Sequence, residues 1–183
     1  VALMSQSAAG VTIATVQGSI LLAGVSMAAI SAASFLLVSG PGVERITVSG
    51  NNASRIFSLG ITGVVTIEHL TLTNGSATYG GAVVNGKGNL TLKNCRITNS
   101  VATGTGVNQG GGGLFTQGGS CTIQKCVFSG NETTGSAPGG AVEAYMGPVT
   151  VTDSTFSGNA SVSSGGALAC RQSSNCFILG STF

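Results

Sequence analysis

Charged side chains are scarce in this chain: Asp, Glu, Lys and Arg make up only 7% of its 183 residues, against about 25% in an ordinary soluble domain. The net charge is +2, so there is no strong field to attract a polyanion such as nucleic acid. Hydrophobic residues nevertheless make up 42% of the chain, which is ample for a core and argues against a disordered charged tail. We therefore expect one folded domain over residues 1–183 and no nucleic-acid partner.

Side chains for acid–base chemistry are equally few. The histidine and the carboxylates of the whole chain are His69, Asp153, Glu44, Glu68, Glu132 and Glu143. Enzymes that cleave acidic polysaccharides need several carboxylates together, either to bind calcium or to act as an acid and base pair. One histidine supports no Ser/His/Asp or Cys/His constellation, and no cysteine spacing matches a zinc ribbon. We expect no enzyme activity, no cofactor and no metal.

The chain does contain one short sequence motif that is repeated five times. The copies begin at Val65, Leu90, Cys121, Val149 and Cys176, at intervals of 25, 31, 28 and 27 residues. Regular self-similarity with a period of roughly 20 to 50 residues is typical of stacked repeats. Positions one, three, six and eight of each copy are directed inward, and positions four and five are mostly polar, which predicts two short strands joined at a bend. The fold class predicted is all-β: a right-handed parallel β-helix, or β-solenoid, with coils of roughly 25–31 residues.

Paired glycines stand between the copies. Three follow the pattern Gly-Gly-Ala plus an aliphatic residue, at 80–83, 139–142 and 165–168, and we align 112–115 (Gly-Gly-Leu-Phe) with them. Glycine permits positive φ or a close backbone approach where one strand turns into the next. The pairs therefore predict a tight turn before each new coil.

The alternation of GGA-[ILV] with F-x-x-N resembles the repeat of polymorphic outer-membrane proteins and related bacterial β-helix surface proteins. F-x-x-N stands at Phe128–Asn131 and Phe156–Asn159. Two earlier copies read Leu72–Asn74 and Ile97–Asn99, one residue short, so we expect tighter turns there. The resemblance implies an extracellular or cell-surface location and an adhesin or display role, with a host or cell-surface carbohydrate or protein as partner.

The five cysteines leave at least one thiol unpaired within the chain. Cys95 and Cys126 hold the same inward position in successive copies, and as ladder neighbours about 4.8 Å apart they are expected to be buried, stacked thiols. The predicted buried ladder consists of Cys95, Cys126, Phe128 and Phe156. A disulfide between Cys170 and Cys176 could close a loop between adjacent strands, and it stays open as an alternative to free thiols.

The N-terminal third is uncharged up to Glu44. Ile20–Val38 is long enough to span a membrane, but no basic segment precedes it, so a signal peptide is not convincing. Short apolar runs separated by Gly, Gln and Ser favour leading β-helix coils over residues 1–64, followed by the clear repeats over 65–183. A membrane segment and an amphipathic cap over residues 1–10 remain as alternatives.

The last copy stops inside a strand pair without a polar cap. An open coil presents exposed core and unpaired backbone groups, so we expect head-to-tail association with further copies of the chain into a filament or surface layer. The expected contact residues are Ile20, Leu21, Leu22, Cys176, Ile178 and Phe183.

Two other functions stay open. The first is a module of a larger surface protein that displays the loops at 101–113 and 132–139. The second is an ice- or carbohydrate-binding face on the outward threonines at position two. These threonines are Thr66, Thr91, Thr122 and Thr150. Position four, beside them, is mixed (Glu68, Lys93, Gln124, Thr152), so a flat face with two ranks of threonine is not predicted.

Overall fold

A computed structural model describes the backbone of residues 4–7, 10–13, 18–21, 27–29, 35–60, 62–172 and 174–183. It describes the side chains from residue 37 onward, except at residues 61 and 173. The strands in these ranges form four sheets, named A to D, with a strand of each in a typical coil. Every strand pairing described is parallel except that of the first two strands.

Sheet A is the largest, with eight strands. In spatial order it contains β1 (Met4–Ser7), β2 (Gly10–Ile13), β5 (Phe35–Ser39), β8 (Val64–Glu68), β12 (Asn89–Lys93), β16 (Cys121–Gln124), β20 (Val149–Thr152) and β24 (Cys176–Leu179). Sheet B contains β3 (Gly18–Leu21), β6 (Ile46–Ser49), β9 (Thr71–Thr73), β13 (Arg96–Thr98), β17 (Val127–Ser129) and β21 (Thr155–Ser157). The bend within each repeat joins a strand of sheet A to one of sheet B.

Sheets C and D complete each coil. Sheet C contains β4 (Met27–Ala29), β7 (Phe57–Leu59), β11 (Val83–Asn85), β15 (Leu114–Gln117), β19 (Val142–Tyr145) and β23 (Leu168–Arg171). Sheet D has only two-residue strands: β10 (Ser76–Ala77), β14 (Val101–Ala102), β18 (Glu132–Thr133) and β22 (Ala160–Ser161). The chain therefore passes from C to A, B and D, and returns to C one coil further on.

The register of sheet A matches the sequence repeat. Val65, Leu90, Cys121, Val149 and Cys176, the five starting points, lie opposite one another in successive strands. The side chains at positions one, three, six and eight of the middle coils are buried in one core. The predicted β-solenoid and its register are confirmed.

The bend at position five has the same backbone conformation in every coil. The residues there are His69, Asn94, Lys125, Asp153 and Gly180, with φ values of 59°, 48°, 52°, 50° and 59°. This left-handed region is uncommon outside glycine, and it is most accessible to residues such as Asn and Asp. The bend amide donates to the position-four carbonyl of the next coil, as in Asn94 N to Gln124 O at 3.0 Å. Even the corner is therefore hydrogen-bonded from coil to coil.

The glycine alignment predicted for the third loop is wrong by one residue. Leu114, and not Phe115, lies opposite Val83 and Val142, so the paired glycines are Gly111 and Gly112. The first glycine of each pair has positive φ: Gly80 54°, Gly111 67°, Gly139 74° and Gly165 65°. Gly113 then takes the place that alanine has in the other coils. An added Cβ would lie 2.9 Å from the Ala141 carbonyl oxygen and 3.1 Å from both the Ile97 and the Phe128 side chains.

The prediction of tighter turns after the earlier repeats is also wrong. Ile97 lies opposite Phe128, and four positions later Val101 lies opposite Glu132, so no residue is missing. Asparagine replaces glycine at the left-handed position ten, which is occupied by Asn74, Asn99, Gly130 and Gly158 with φ of 53°, 50°, 62° and 60°. Position eleven, where the later coils have asparagine, is occupied by Gly75 and Ser100 in the earlier ones.

The solenoid extends into the uncharged N-terminal segment. β2 pairs in parallel with β5, and β5 pairs with β8, so parallel strands stand where the sequence predicts leading coils. β1 pairs antiparallel with β2 and occupies the edge of sheet A. In the ranges that the structure describes, no helix has the length and apolar character needed to cross a membrane. Leu22 and parts of the predicted cap, residues 1–3 and 8–9, lie outside the described residues.

The stacked core predicts a large difference between inward and outward substitutions in one coil. Phe128→Ala should lower the free energy of unfolding by about 3–5 kcal/mol, because it removes a buried ring and leaves a cavity. Thr122→Ala, on the outward face of the same coil, should cost less than about 1 kcal/mol. Urea unfolding followed by circular dichroism measures both, and equal losses would contradict the assigned register.

Candidate functional site

The last coil leaves part of the core surface uncovered. Ile178 and Phe183 stand at inward positions three and eight, yet they are 49% and 54% exposed, whereas the same positions are fully buried in the three preceding coils. Together with neighbouring apolar side chains they line an open cavity of about 460 Å³. We name this surface the end face; it consists of Ala167, Leu168, Cys170, Cys176, Ile178 and Phe183.

The structure brings three of the six predicted contact residues together. Cys176, Ile178 and Phe183 all line the end face. Ile20 and Leu21 lie in β3, which occupies the opposite edge of sheet B, and Leu22 is not described. The two predicted contact regions are thus at opposite ends of the solenoid.

The end face lies beside the last strand of each sheet. β24, β23 and β22 form the open edges of sheets A, C and D, whereas the edge of β21 in sheet B is partly paired, since the Phe156 amide donates to Thr182 O at 2.8 Å. A strand at the edge of a sheet presents a row of unpaired N–H and C=O groups, which can pair with another strand. The surface therefore combines apolar side chains with backbone donors and acceptors.

A stack of phenylalanine rings ends at this surface. The ring centroids of Phe128 and Phe156 are 4.9 Å apart, and those of Phe156 and Phe183 are 4.7 Å apart, with interplanar angles of 4° and 1°. These separations equal the spacing of strands in a sheet, because each of the three successive coils contributes one ring to the stack. Only one face of the Phe183 ring is covered by the stack.

A serine ladder also runs toward the end face, at position six. The amide of Cys126 donates to Ser154 Oγ at 3.0 Å, and the amide of Ser154 donates to Ser181 Oγ at 3.1 Å. Each serine hydroxyl in turn donates to the position-four carbonyl of its own coil, Thr152 or Leu179. At position six, therefore, a side chain of the following coil satisfies a backbone donor of the preceding one.

At position eleven, an asparagine ladder also satisfies backbone donors of the preceding coil. The amide of Ser100 donates to Asn131 Oδ1 at 3.1 Å, and the amide of Asn131 donates to Asn159 Oδ1 at 3.0 Å. The side-chain amides donate backward to the position-eight carbonyls, Asn131 Nδ2 to Ile97 O at 2.9 Å and Asn159 Nδ2 to Phe128 O at 3.0 Å. The F-x-x-N motif marks this ladder in the sequence; the repeat likewise places Ser154 and Ser181 at inward position six, but it does not show their hydrogen bonds.

Outside the end face, Phe177 and Leu179 place apolar side chains in two rows of outward positions on sheet A that are otherwise mostly polar. Phe177 follows the threonine rank at position two, and Leu179 follows the mixed rank at position four. They are 61% and 72% exposed. The threonine rank itself is present, but its neighbouring rank at position four contains Glu68 and Lys93, so the outward face of sheet A is chemically mixed.

The cysteines divide into two groups. Cys95, Cys121 and Cys126 are buried free thiols, and burial raises the pKa of Cys121 to about 12. In the structure Cys170 and Cys176 form a disulfide, which joins β23 to β24 beside the end face. This bond fixes the two outermost strands of sheets C and A relative to each other.

Most of the chain's few acid–base groups are scattered. Glu68 and Asp153 stand at positions four and five of coils three apart, a separation of roughly 15 Å at one strand spacing per coil. His69 contacts Asn94 at 3.1 Å and lies 3.6 Å from Glu68, while Glu44 pairs with Arg96 on the surface at 2.9 Å. In the part of the chain that the structure describes, no three His, Cys, Asp or Glu side chains are grouped in a way that could hold a metal.

Glu143 is the exception, because its carboxyl group is completely buried. Its position on β19 points away from the core, but the glycine-rich loop over 103–110 covers it, and the Gly110 amide donates to Oε2 at 2.7 Å. Its other oxygen, Oε1, has no hydrogen-bond partner among the residues that the structure describes. Burial raises the pKa of Glu143 to about 7, opposed by the Gly110 hydrogen bond and the Arg171 charge. Burial of this outward position could not be inferred from the strand pattern.

Glu143 predicts a specific dependence of stability on pH. Its pKa is higher in the folded chain than the ordinary value of 4.5, so its contribution is complete below pH about 4.5 and is lost as pH rises toward about 7. The free energy of unfolding should fall by up to about 3 kcal/mol across this window, and Glu143→Gln should remove that fall. Urea unfolding between pH 4 and pH 8 measures it, with the exposed Glu132→Gln as the matched control. A Glu143→Gln protein that kept the full pH dependence would assign it to another group.

Comparison with known families matches residues 10–183 to the family described as "Right handed beta helix region". The chain matches no curated protein and no solved structure in the corresponding comparisons. The match covers nearly the whole chain, including the coils that carry the end face, and it agrees with the parallel four-sheet architecture. The chain therefore belongs to the right-handed β-helix family.

Proposed function

We propose that the protein is a structural β-solenoid without catalytic activity, located outside the cell or on its surface, whose end face binds a further β-helical coil. The observation that carries this proposal is the exposure of Ile178 and Phe183 at positions that are buried in the three preceding coils. The end face is the continuation of the coil–coil interface that repeats through the molecule. The occupant that fits it is therefore another coil of the same kind.

The distribution of charged groups supports a non-catalytic role. Glycoside hydrolysis uses two carboxyl groups on opposite sides of the scissile bond, roughly 5–9.5 Å apart. Among the described side chains, Glu68 and Asp153 are about three strand spacings apart, and Glu143 is sealed beneath a loop. The surface location rests on the resemblance of the GGA-[ILV] and F-x-x-N motifs to surface β-helix proteins.

Display of loops is the second part of the proposed role. Val107, in the loop over 101–113, is 61% exposed. Glu132 and Thr134 are exposed in the segment over 132–139. A rigid solenoid that presents such loops suits an adhesin or display module, with a cell-surface carbohydrate or protein as its ligand.

Head-to-tail filament formation is the second candidate function. It is favoured by the apolar end face, since an uncapped solenoid end can pair with the next subunit. It is disfavoured by β1, which already pairs antiparallel with β2 at the N-terminal edge of sheet A. Electron microscopy separates the two candidates: long fibres of the unmodified chain support the filament, whereas isolated rods support the display module.

Extension of the chain by one coil tests the binding of a further coil directly. A tandem copy of residues 157–183 added after Phe183 keeps the register, because Phe183 stacks on Phe156 and Thr182 bridges to Thr155. We expect the extended chain to have a higher free energy of unfolding, since Ile178 and Phe183 become buried.

The matched control is a scrambled extension with the same 27-residue composition, which should leave stability unchanged. Slower amide exchange along β24 in the tandem chain alone would localise the effect to the end face. If both extensions gave the stability of the unmodified chain, the proposal that the end face binds a coil would be rejected.

A further inference from the structure

We infer that residues 103–110 form a pH-dependent flap, which is closed over sheet C while the Glu143 carboxyl group is protonated and opens when that group ionises. Two features meet at this point: a completely buried carboxyl group at an outward strand position, and an uncharged, glycine-rich segment that covers it. The movement of the flap is independent of the proposed function, and only its effect on a displayed ligand rests on that function.

The flap is part of an insertion between sheets D and C. Residues 103–113 connect β14 to β15, whereas the equivalent connections in the neighbouring coils are the shorter segments 78–82, 134–141 and 162–167. Three of the eight flap residues are glycine, and none is charged. Glycine gives the backbone more freedom than other residues do. Because the flap lies outside the strands, it can leave the sheet without breaking any strand pairing.

A hydrogen bond to Glu143 fastens the far end of the flap to sheet C. The first two flap amides donate to carbonyls of the preceding coil, and the tip is closed on itself, because Gly106 N donates to Gln109 Oε1 at 2.9 Å. At the far end, Gly110 N donates to Glu143 Oε2 at 2.7 Å, and Gly110 O accepts from Gly80 N at 3.0 Å. The Glu143 carboxyl group is therefore the point at which sheet C holds the flap.

The closed flap suits a neutral carboxyl group better than an ionised one. The Glu143 side chain is fully buried, its Oε2 accepts from the Gly110 amide, and its Oε1 has no hydrogen-bond partner among the described residues. Burying a charge with so few partners costs far more than burying the neutral group. In the open form, water can hydrate both oxygens. Ionisation therefore favours the open form.

The groups that surround Glu143 include one positive charge. Phe115 of β15 and Ala169 of β23 lie opposite Glu143 on either side, and both are uncharged, as are the flap and the connection over 134–141. Arg171 of β23 supplies the positive charge. It lies opposite Tyr145, which is the titratable neighbour of Glu143 two residues along β19.

The pH range of the transition follows from the two surroundings of the carboxyl group. Burial raises the pKa of Glu143 to about 7 in the closed form, although the Gly110 hydrogen bond and the Arg171 charge both lower it. In the open form the pKa returns toward the ordinary value of 4.5. Closure is therefore fully favoured below pH about 4.5, and that preference is lost as pH rises through about 7.

Amide exchange of the isotope-labelled chain, followed by NMR, tests the flap. Protection of the Gly110 amide, expressed relative to its intrinsic exchange rate at each pH, should fall on the order of 10- to 100-fold between pH 5 and pH 8. The Ile123 amide, in the middle of sheet A, should stay protected throughout because the strands do not open. The ¹³C resonance of the Glu143 carboxyl group should titrate over the same pH range in which Gly110 loses protection.

Three variants separate the charge from the fold. Glu143→Gln keeps an acceptor for the Gly110 amide but cannot ionise, so protection at residue 110 should be equal at pH 5 and pH 8. Glu132→Gln, at an exposed carboxylate outside the flap, is the matched control and should retain the fall. Gly110→Ala should open the flap at both pH values, because an added Cβ would collide with the Pro138 carbonyl oxygen.

Constant Gly110 protection from pH 5 to pH 8 in the unmodified chain would overturn the inference. Joint loss of protection at Gly110 and Ile123 would also overturn it, because whole coils would then be unfolding, and so would a fall that persists in Glu143→Gln. If that variant did not fold, a carboxyl titration of Glu143 that failed to coincide with the loss of Gly110 protection would be decisive against it. A flap that opened in subunits of a filament would support the inference and remove the display role, whereas a flap that stayed closed on isolated rods would do the reverse.

Discussion

Each coil of this protein is completed by the coil that follows it. Backbone amides at the bend donate to carbonyls one coil further on, as Asp153 N does to Leu179 O at 3.0 Å, and serine and asparagine side chains of the next coil satisfy donors that the sheets do not reach. Stability in such a solenoid comes from nearest-neighbour interfaces. An uncovered coil therefore carries unmet hydrogen bonds and exposed core together, which is the combination found at the end face.

The same stacking explains why the chain has so few charges. Residues at equivalent positions of adjacent coils lie about one strand spacing apart. A charged residue that was kept in every repeat would therefore lie next to a residue of the same charge, and like charges directly opposite are destabilising. Where charges do occur in the sheets, the neighbours differ: Glu68 lies opposite Lys93, and Lys125 precedes Asp153 along the bend. Uncharged hydroxyl and amide ladders avoid the repulsion while still providing hydrogen bonds.

The architecture was predictable because the repeat specifies it many times over. The apolar positions of five copies all predict the same strands, the same inward face and the same register. A single copy that departs from the motif therefore does not change the predicted fold. Errors arose where one residue decides the local alignment. The run Gly111–Gly113 allowed two registers, and Asn74 and Asn99 resembled a shortened motif although they occupy the left-handed position of Gly130. Burial of Glu143 depends on a loop from the preceding coil, which no period within the strand reveals.

The residues of the end face were predictable from the repeat, but the hydrogen bonds behind it were not. Ile178 and Phe183 follow from the repeat, whereas the hydrogen bonds of the serine and asparagine ladders appear only when the donors of successive coils are followed in three dimensions. A high-resolution structure of the natural assembly that contains this segment tests the account most directly. The account predicts a parallel coil on β24 that buries the side chains of Ile178 and Phe183. An end face covered by a helix or an irregular loop, or left open to solvent, would contradict it.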